Sequence, residues 1–542
     1  MVKNSKGIMV MKKVLCVFVI VAFIAAMFGA CGKSGGNATT AAQTESVSTT
    51  AAATTTESKS AETTAAATEK ADDSASGAKE MVRWLYPGGE GKNHAALTQY
   101  INEMLDADKM NITFEPRPIG WDVWEQKVNL MFQSREEFEF VQVPEGFGPG
   151  YVLLWNRGAS IRLNELLDEH APTIKSVVPK WLWEAATIKG NISTIPAFWV
   201  ETAHLKGGVT LRKDLYDKYG MTLPTDLDDL VSKSIELKEN MIADDLYDEP
   251  PYVAMRYQEI QTFPHRTYPT YPFTVIDQIL LVRQDGKVES WVDSQEFKWD
   301  SEFYNKLYVN SLVEAEILSV TTASSSKGFG YGNYLFSEWN TLNSDPFMKK
   351  TAGNDSIVNE YVIFNPEKKI MRDQGVRNSN IVSSTSPNPA AAVRFHEWFY
   401  KNKNAYYAMQ FGKEGMTYKL VDGVPDFIQD EPNLGLADWM IANINLQPPY
   451  LGSNPDWVRL TMNEEMNVDN SVTIGFAFDS SVVDTEYSNC LSELQNVIYP
   501  LRAGVMSYAD GYEAASAALK TAGIDKVVEA YQQQLNDWLA SK

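Results

Sequence analysis

The sequence predicts an α/β protein of two lobes, with the chain passing between them more than once. Three observations carry that expectation. Strand-like and helix-like segments alternate from residue 81 onward, which implies a parallel sheet with right-handed crossovers. The stretch from residue 80 to residue 542 is too long for one hydrophobic core. Residues 195–199 and 378–384 read as lobe crossings, because each borders a new α/β run; paired crossings make a hinge.

Each element has its own signature. Residues 81–86 form a short apolar strand stopped by Pro87-Gly88-Gly89. Residues 94–105 carry apolar side chains at Leu97, Ile101, Met104 and Leu105, a helical stripe. Residues 111–115 read as a strand, and 121–132 repeat helical spacing through Trp124, Val128, Met131 and Phe132. A third strand, 138–143, ends at Pro144-Glu145-Gly146. In open sheets of this kind ligands sit off the carboxyl ends of the strands, here Tyr86 to Gly89 and Pro144 to Gly148. Pro87-Gly88-Gly89-Glu90-Gly91 lacks the Lys-Ser/Thr of a phosphate loop and reads as a turn bringing backbone close to a ligand, with a plain turn as the alternative. Residues 378–384 form a strand leading into a helix over 389–400. Asp510-Gly511-Tyr512-Glu513 fits a capping box for a helix ending at Gly523. Val527, Tyr531, Leu535 and Trp538 make an apolar stripe on the last helix.

The amino terminus reads as an export signal. Four lysines precede residue 14, an apolar run fills 14–30, and small residues lead to Cys31. That pattern fits a lipobox, with cleavage before Cys31 and acylation of its thiol; a single transmembrane anchor is the alternative. Residues 32–79 are almost all Ala, Thr, Ser, Gly and Glu, which cannot bury enough apolar area to fold. They read as a flexible tether spanning about 40 Å, or as a glycosylated stalk. Losing the leader lysines takes the net charge from −22 to −26, which disfavours nucleic acid and anionic lipid as partners. Cys490 is left alone, so no internal disulfide forms, and it is expected to be a small buried hydrophobe.

Signals of catalysis are thin. The five histidines are scattered with no His-Glu-x-x-His, no Cys pair suits zinc, and no Gly-x-Ser-x-Gly elbow occurs. No cofactor, metal or catalytic residue is expected. Tyr268-Pro269-Thr270-Tyr271-Pro272 reads as a stiff loop.

Several segments, in order, resemble a known family. They are Gly190-Asn191-Ile192-Ser193-Thr194-Ile195-Pro196; Leu211-Arg212-Lys213-Asp214-Leu215 running on to Gly220 and Leu223-Pro224-Thr225; Asp285-Gly286-Lys287-Val288 before Trp291; Phe411-Gly412-Lys413-Glu414-Gly415-Met416-Thr417-Tyr418; and the helix pair around Gly523 and Trp538. Together they resemble the extracellular solute-binding lipoproteins of bacterial ABC importers, of the carbohydrate-associated family 1 type. The resemblance implies a periplasmic-binding-protein-like fold of class II type, with a small-molecule solute, an oligosaccharide, held between closing lobes. It also implies delivery to ABC importer permease subunits by a monomer, lipid-anchored on the outside of the cell membrane of a Gram-positive bacterium. The expected partition is 1–30 signal peptide, 31–79 tether, 80–200 with 372–420 as the amino-terminal lobe, and 201–371 with 421–542 as the carboxyl-terminal lobe.

A sugar cleft needs aromatic faces beside hydrogen-bonding groups. The candidates are Tyr86 and Phe147 after first-lobe strands, Trp121 opening a helix, Trp199 and Glu201 at the first crossing, Phe329 and Tyr331 in a Gly-rich loop, and Glu145, Glu414 and Tyr418 as polar contacts. Each aromatic could instead be core, and Glu414 could cap a helix. An oligopeptide ligand, a surface glycan hydrolase and an adhesin remain alternatives.

Overall fold

The computed structural model describes residues 78–144, 150–198, 208–255, 257, 262–319, 328–337, 345–372, 376–428, 431–441, 443–448, 451–452 and 468–542. Residues 78–542 lie within one compact unit. The leader, Cys31 and the tether, which the sequence assigns to export, anchoring and reach, fall outside the described residues, as do Glu145, Phe147, Trp199 and Glu201.

The first sheet has five strands in the order Ile112–Ile119, Glu80–Pro87, Phe140–Val143, Ser379–Val382, Ile195–Pro196. Glu80–Pro87 pairs in parallel with its neighbours on both sides. Ser379–Val382 enters antiparallel, facing Phe140–Val143 on one side and Ile195–Pro196 on the other. This fourth strand begins 183 residues after Ile195–Pro196 (379 − 196), its predecessor in sequence within the sheet, so the chain leaves the sheet and returns to it. Between the two passages it builds a second sheet, Asn359–Ile363, Gly208–Arg212, Tyr334–Ser337, Tyr252–Ala254. Here too the strand nearest the crossing, Gly208–Arg212, runs antiparallel to both neighbours. The expected two-lobed α/β architecture is the observed one.

Both faces of the first sheet are covered. Val82, Trp84, Tyr86 and Phe140 pack on helix Pro389–Lys401, while Leu85, Val141 and Ile381 pack on helix Trp124–Gln133. Strands buried on both faces read as continuous apolar runs, which is why 81–86 was legible as a strand. The same core takes in Leu434, Leu436, Met440, Ile441 and Ile444, beyond residue 420 where the sequence ended the first lobe. The helix over residues 121–132 begins at Trp124, which leaves Trp121 in the preceding turn.

The second lobe has two large cores, beside a small cluster of Ala254, Tyr334, Met348 and Ile357. One surrounds its sheet; the other joins the meander Phe273–Ile276, Leu280–Arg283, Val288–Ser290 to helices Tyr508–Ala522 and Ile524–Ala540. Val527, Tyr531, Leu535 and Trp538 dock there as their spacing implied. Gly523 ends the preceding helix in the left-handed conformation, φ +102°. The cap at the start of that helix differs from expectation: Ser507, not Asp510, receives the amide of residue 510. The first turn is longer because Tyr508 packs on Phe297 and stacks on Tyr512. Cys490 is fully buried, and burial pushes its thiol up to about 11.

Two buried polar groups have stability consequences that can be measured. Asp300 accepts hydrogen bonds from Arg502, from the Tyr268 hydroxyl at 2.7 Å and from His265 Nε2 at 3.1 Å. Burial alone would raise its pKa, but His265 and Arg502 outweigh that and hold the carboxylate below its usual range. Asp300→Asn leaves the fully buried Arg502 guanidinium without its counter-charge and should cost about 3–5 kcal/mol, read as a lowered unfolding midpoint. His396 sits among Trp84, Phe140, Phe399 and Tyr400, with ring centroids 4.7–6.1 Å away. Burial lowers its pKa from 6.5 to about 3. The folded imidazole stays neutral while the unfolded one takes a proton, so stability is complete above pH 6.5 and is lost as pH falls toward 3. At pH 5 the loss should be about 2 kcal/mol, and denaturant titrations of His396→Phe should lack that increment.

Candidate functional site

The crossings define one end of each sheet as functional ground. In the first lobe the carboxyl ends of the three parallel strands, Pro87, Ile119 and Val143, lie where Ser379 enters. In the second, Ala254, Ser337 and Ile363 end their strands on the side where Gly208 enters. Gly208 is required there. A Cβ would fall 2.5 Å from the Val362 carbonyl and 2.8 Å from the Tyr361 ring, whose hydroxyl accepts from the Gly208 amide at 3.1 Å.

At the first-lobe edge the chain exposes one aromatic pair. Trp121 follows Ile119-Gly120, is 47% exposed, and lies 6.0 Å from Trp439 at an interplanar angle of 43°. Trp439 belongs to helix Asp438–Ile441. Its neighbours Met440 and Ile441 are buried in the first core, and Asn380 Nδ2 donates to the Met440 carbonyl at 2.9 Å. Trp439 is therefore held from beneath while its ring stays half-buried. Close by in register, Gln142 pairs with Asn380 and Val143 with Ser379. Both side-chain amide atoms of Gln142, Asn380 Oδ1 and Ser379 Oγ are buried with no hydrogen-bond partner among the described residues. Unused donors and acceptors at a strand edge suit hydroxyls or ordered water.

The other sequence candidates go elsewhere. Tyr86 is fully buried and its hydroxyl donates to the Leu434 carbonyl at 2.8 Å; burial, with Glu90 adding, pushes its pKa up. It clamps the 431–441 segment across the sheet edge and offers no face to a ligand. The glycine turn serves the same clamp. A Cβ at Gly91 would lie 2.7 Å from the Pro432 ring, so the close approach is to Pro432 and not to a ligand. Lys92 and Asn93 fix Glu431 at 2.8 and 2.9 Å.

Phe329 and Tyr331 lie at the opposite end of the second lobe. They precede strand Tyr334–Ser337, whose amino end points away from the crossing. Phe329 packs on Tyr334 at 5.0 Å, and Tyr331 borders a pocket of about 730 Å³ with Arg212, Tyr247 and Asn354. A Gly-rich loop carries no sign of which strand end it serves, and here it serves the amino end of Tyr334–Ser337. Tyr418 is also core: it packs on Phe411 at 5.8 Å, and burial with Glu414 pushes its hydroxyl up to about 12. Glu414 is exposed on the tight turn that Thr417 Oγ builds, donating to the Phe411 carbonyl and accepting from the Lys413 amide at 3.0 Å. That turn rests on helix His94–Ala107, where a Cβ at Gly412 would meet Leu97 at 3.2 Å, and not on the strand ends.

The lobes touch directly. Lys350 Nζ, on helix Asp345–Ala352, donates to the Phe427 carbonyl of hairpin Tyr418–Val421/Val424–Phe427 at 2.9 Å. Arg372, near the return crossing, lies 3.6 Å above the Trp181 ring.

Two open α/β lobes, with chain crossings at the carboxyl edges and a partly exposed tryptophan pair beside one of them, fit a two-lobed binding protein. Comparison with known proteins agrees. The bacterial extracellular solute-binding protein model matches residues 89–406, and a domain of unknown function (DUF3502) matches 472–540, the part that carries the carboxyl-terminal helix pair. No curated protein matches. Among solved structures, the N-glycan transport solute binding protein (NgtS) of Streptococcus pneumoniae with Man1GlcNAc is 15% identical at a TM-score of 0.69, covering 85% of this chain and 100% of that one. The HMO-binding, ABC-transporter-associated solute binding protein of Bifidobacterium longum infantis is 17% identical at 0.61, covering 85% and 99%. The Streptococcus pneumoniae ABC-transporter substrate binding protein FusA, in complex with kestose, is 15% identical at 0.59, covering 85% and 100%. The chain belongs to the bacterial extracellular solute-binding protein family.

If the tryptophan pair grips ligand, Trp121→Ala and Trp439→Ala should each weaken binding by roughly 2 kcal/mol, about thirtyfold in Kd, without lowering the unfolding midpoint of the Trp121 variant. Tyr86→Phe should do the reverse: about 1 kcal/mol of stability lost with affinity kept within twofold. Calorimetric titration alongside thermal unfolding separates the two.

Proposed function

We propose that this protein captures an oligosaccharide between its lobes and delivers it to the permease subunits of an ABC importer, without catalysing a reaction. The observation that carries the reading is the Trp121–Trp439 pair, set beside unused hydrogen-bonding groups at the carboxyl edge of the first sheet. Aromatic faces take the C–H face of a sugar ring and the polar groups take its hydroxyls. Solved relatives of the same fold bind Man1GlcNAc and kestose, which supports carbohydrate as the class.

The same reading assigns the amino terminus. Residues 1–30 are an export signal, Cys31 carries lipid on the outer face of a Gram-positive cell membrane, and residues 32–79 tether a monomeric body. No helix among the described residues is long and apolar enough to cross a membrane. We assign 80–198 with 376–444 to the first lobe and 208–372 with 468–542 to the second, following the hydrophobic cores.

Calorimetry of the full chain against mannose-, fructose- and galactose-containing oligosaccharides tests the ligand class. Saturable binding to at least one, with no product released on prolonged incubation, is the expected result. Tight binding to peptides with no affinity for any glycan overturns it. Mass spectrometry of the membrane-extracted protein should find a diacylglyceryl cysteine at its amino terminus.

A further inference from the structure

One cation at the crossing edge of the second lobe is out of place in a chain of net charge −22. Arg266 follows the carboxyl end of strand Tyr252–Ala254 and reaches the turn that follows the carboxyl end of Asn359–Ile363. Its Nη2 donates to the carbonyls of Asn365, at 3.1 Å, and Lys368. Asn365 Nδ2 and Lys368 Nζ return bonds to the Arg266 carbonyl at 3.2 and 3.0 Å, so the two loops are tied together there. On either side of Arg266, His265 and Tyr268 are anchored on buried Asp300. The residue is braced from three directions.

Burial outweighs the electrostatic support that Arg266 takes from Tyr271, Tyr361 and Glu367 and lowers its pKa, and two of its donors stay open. Arg266 is 3% exposed, yet Nε and Nη1 have no acceptor among the described residues. Glu367, on the adjoining turn, is exposed and makes no hydrogen bond to it. Lys368 adds a second cation whose ammonium, among the described residues, donates to the backbone carbonyls of Arg266 and Tyr268. Burying a guanidinium with two open donors is costly, because buried donors are normally paired. A site that holds such a group rigid, with donors left over and no carboxylate hydrogen-bonded to it among the described residues, is prepared for an anion from outside the chain.

We propose that Arg266, supported by Lys368, makes the cleft selective for oligosaccharides that carry an anionic group, a uronate carboxylate or a sulfate ester. This rests on the carbohydrate reading above and narrows it. The sugar body lies on the tryptophan edge of the first lobe, and its anion meets Arg266 on the second. Ligand charge then rewards closure, because the pairing is made only when both edges engage one molecule.

The test is calorimetric titration of the full chain with three oligosaccharides of matched length: neutral, uronate-containing and O-sulfated. Arg266→Gln and Arg266→Lys are titrated in parallel, and thermal unfolding verifies that each variant is folded. The wild type should bind at least one acidic oligosaccharide about tenfold to hundredfold more tightly than the neutral one. The arm that shows the preference identifies the anion. Arg266→Gln should bring the acidic ligand down to neutral-ligand affinity and leave the neutral ligand unchanged, while Arg266→Lys should keep part of the preference. Equal affinity for neutral and acidic ligands, or a preference that survives Arg266→Gln, overturns this inference and leaves the carbohydrate reading standing. Absence of binding to all three overturns both.

Discussion

The structure depends on one topological constraint: strand Ser379–Val382 must enter the first sheet antiparallel after the second lobe has been made. Its pairing with Phe140–Val143 and Ile195–Pro196 ties the two crossings into the same sheet edge. The lobes are thereby joined at the carboxyl ends of the strands, where open α/β sheets place ligands. Gly208 makes the matching entry into the second sheet, under a tyrosine ring that leaves no room for a side chain. The crossings and the carboxyl edges of the sheets are built by the same few residues, so in the proposed reading moving the lobes changes the site directly.

The carboxyl-terminal third stiffens this arrangement. Arg502, from the last part of the chain, reaches Asp300 on helix Gln295–Val309, and Asp300 in turn holds His265 and Tyr268. A buried ion pair is a weak source of stability and a strong source of position. Here it fixes the loop following strand Tyr252–Ala254, one of the edges that faces the crossings. The helix pair at the end of the chain closes over the meander, with Gln532 bonding both the Val288 amide and the Gly286 carbonyl.

What the sequence disclosed and what it hid follow physical lines. Strands buried on both faces and amphipathic helices leave periodic signals, so 81–86, 94–105, 389–400 and the final stripe were placed within a few residues. Direction did not show. Phe329 and Tyr331 stood beside a strand as promisingly as Trp121 did, but their strand starts there, whereas open α/β sheets place ligands where strands end. Tyr86 sat at the right end and turned out to face inward, because a hydroxyl able to reach the Leu434 carbonyl is satisfied in the core. Trp439 and Arg266 gave no local signal. Trp439 reaches the edge on a segment that follows a hairpin. Arg266 sits beside a proline-rich loop whose stiffness was visible and whose role was not.

Closure is the claim on which the account turns, and small-angle X-ray scattering of the full chain, with and without a saturating glycan, measures it most directly. The account predicts a fall in radius of gyration that tracks calorimetric occupancy and reaches a plateau at one ligand per chain. A scattering curve that stays the same while the glycan is bound would contradict it.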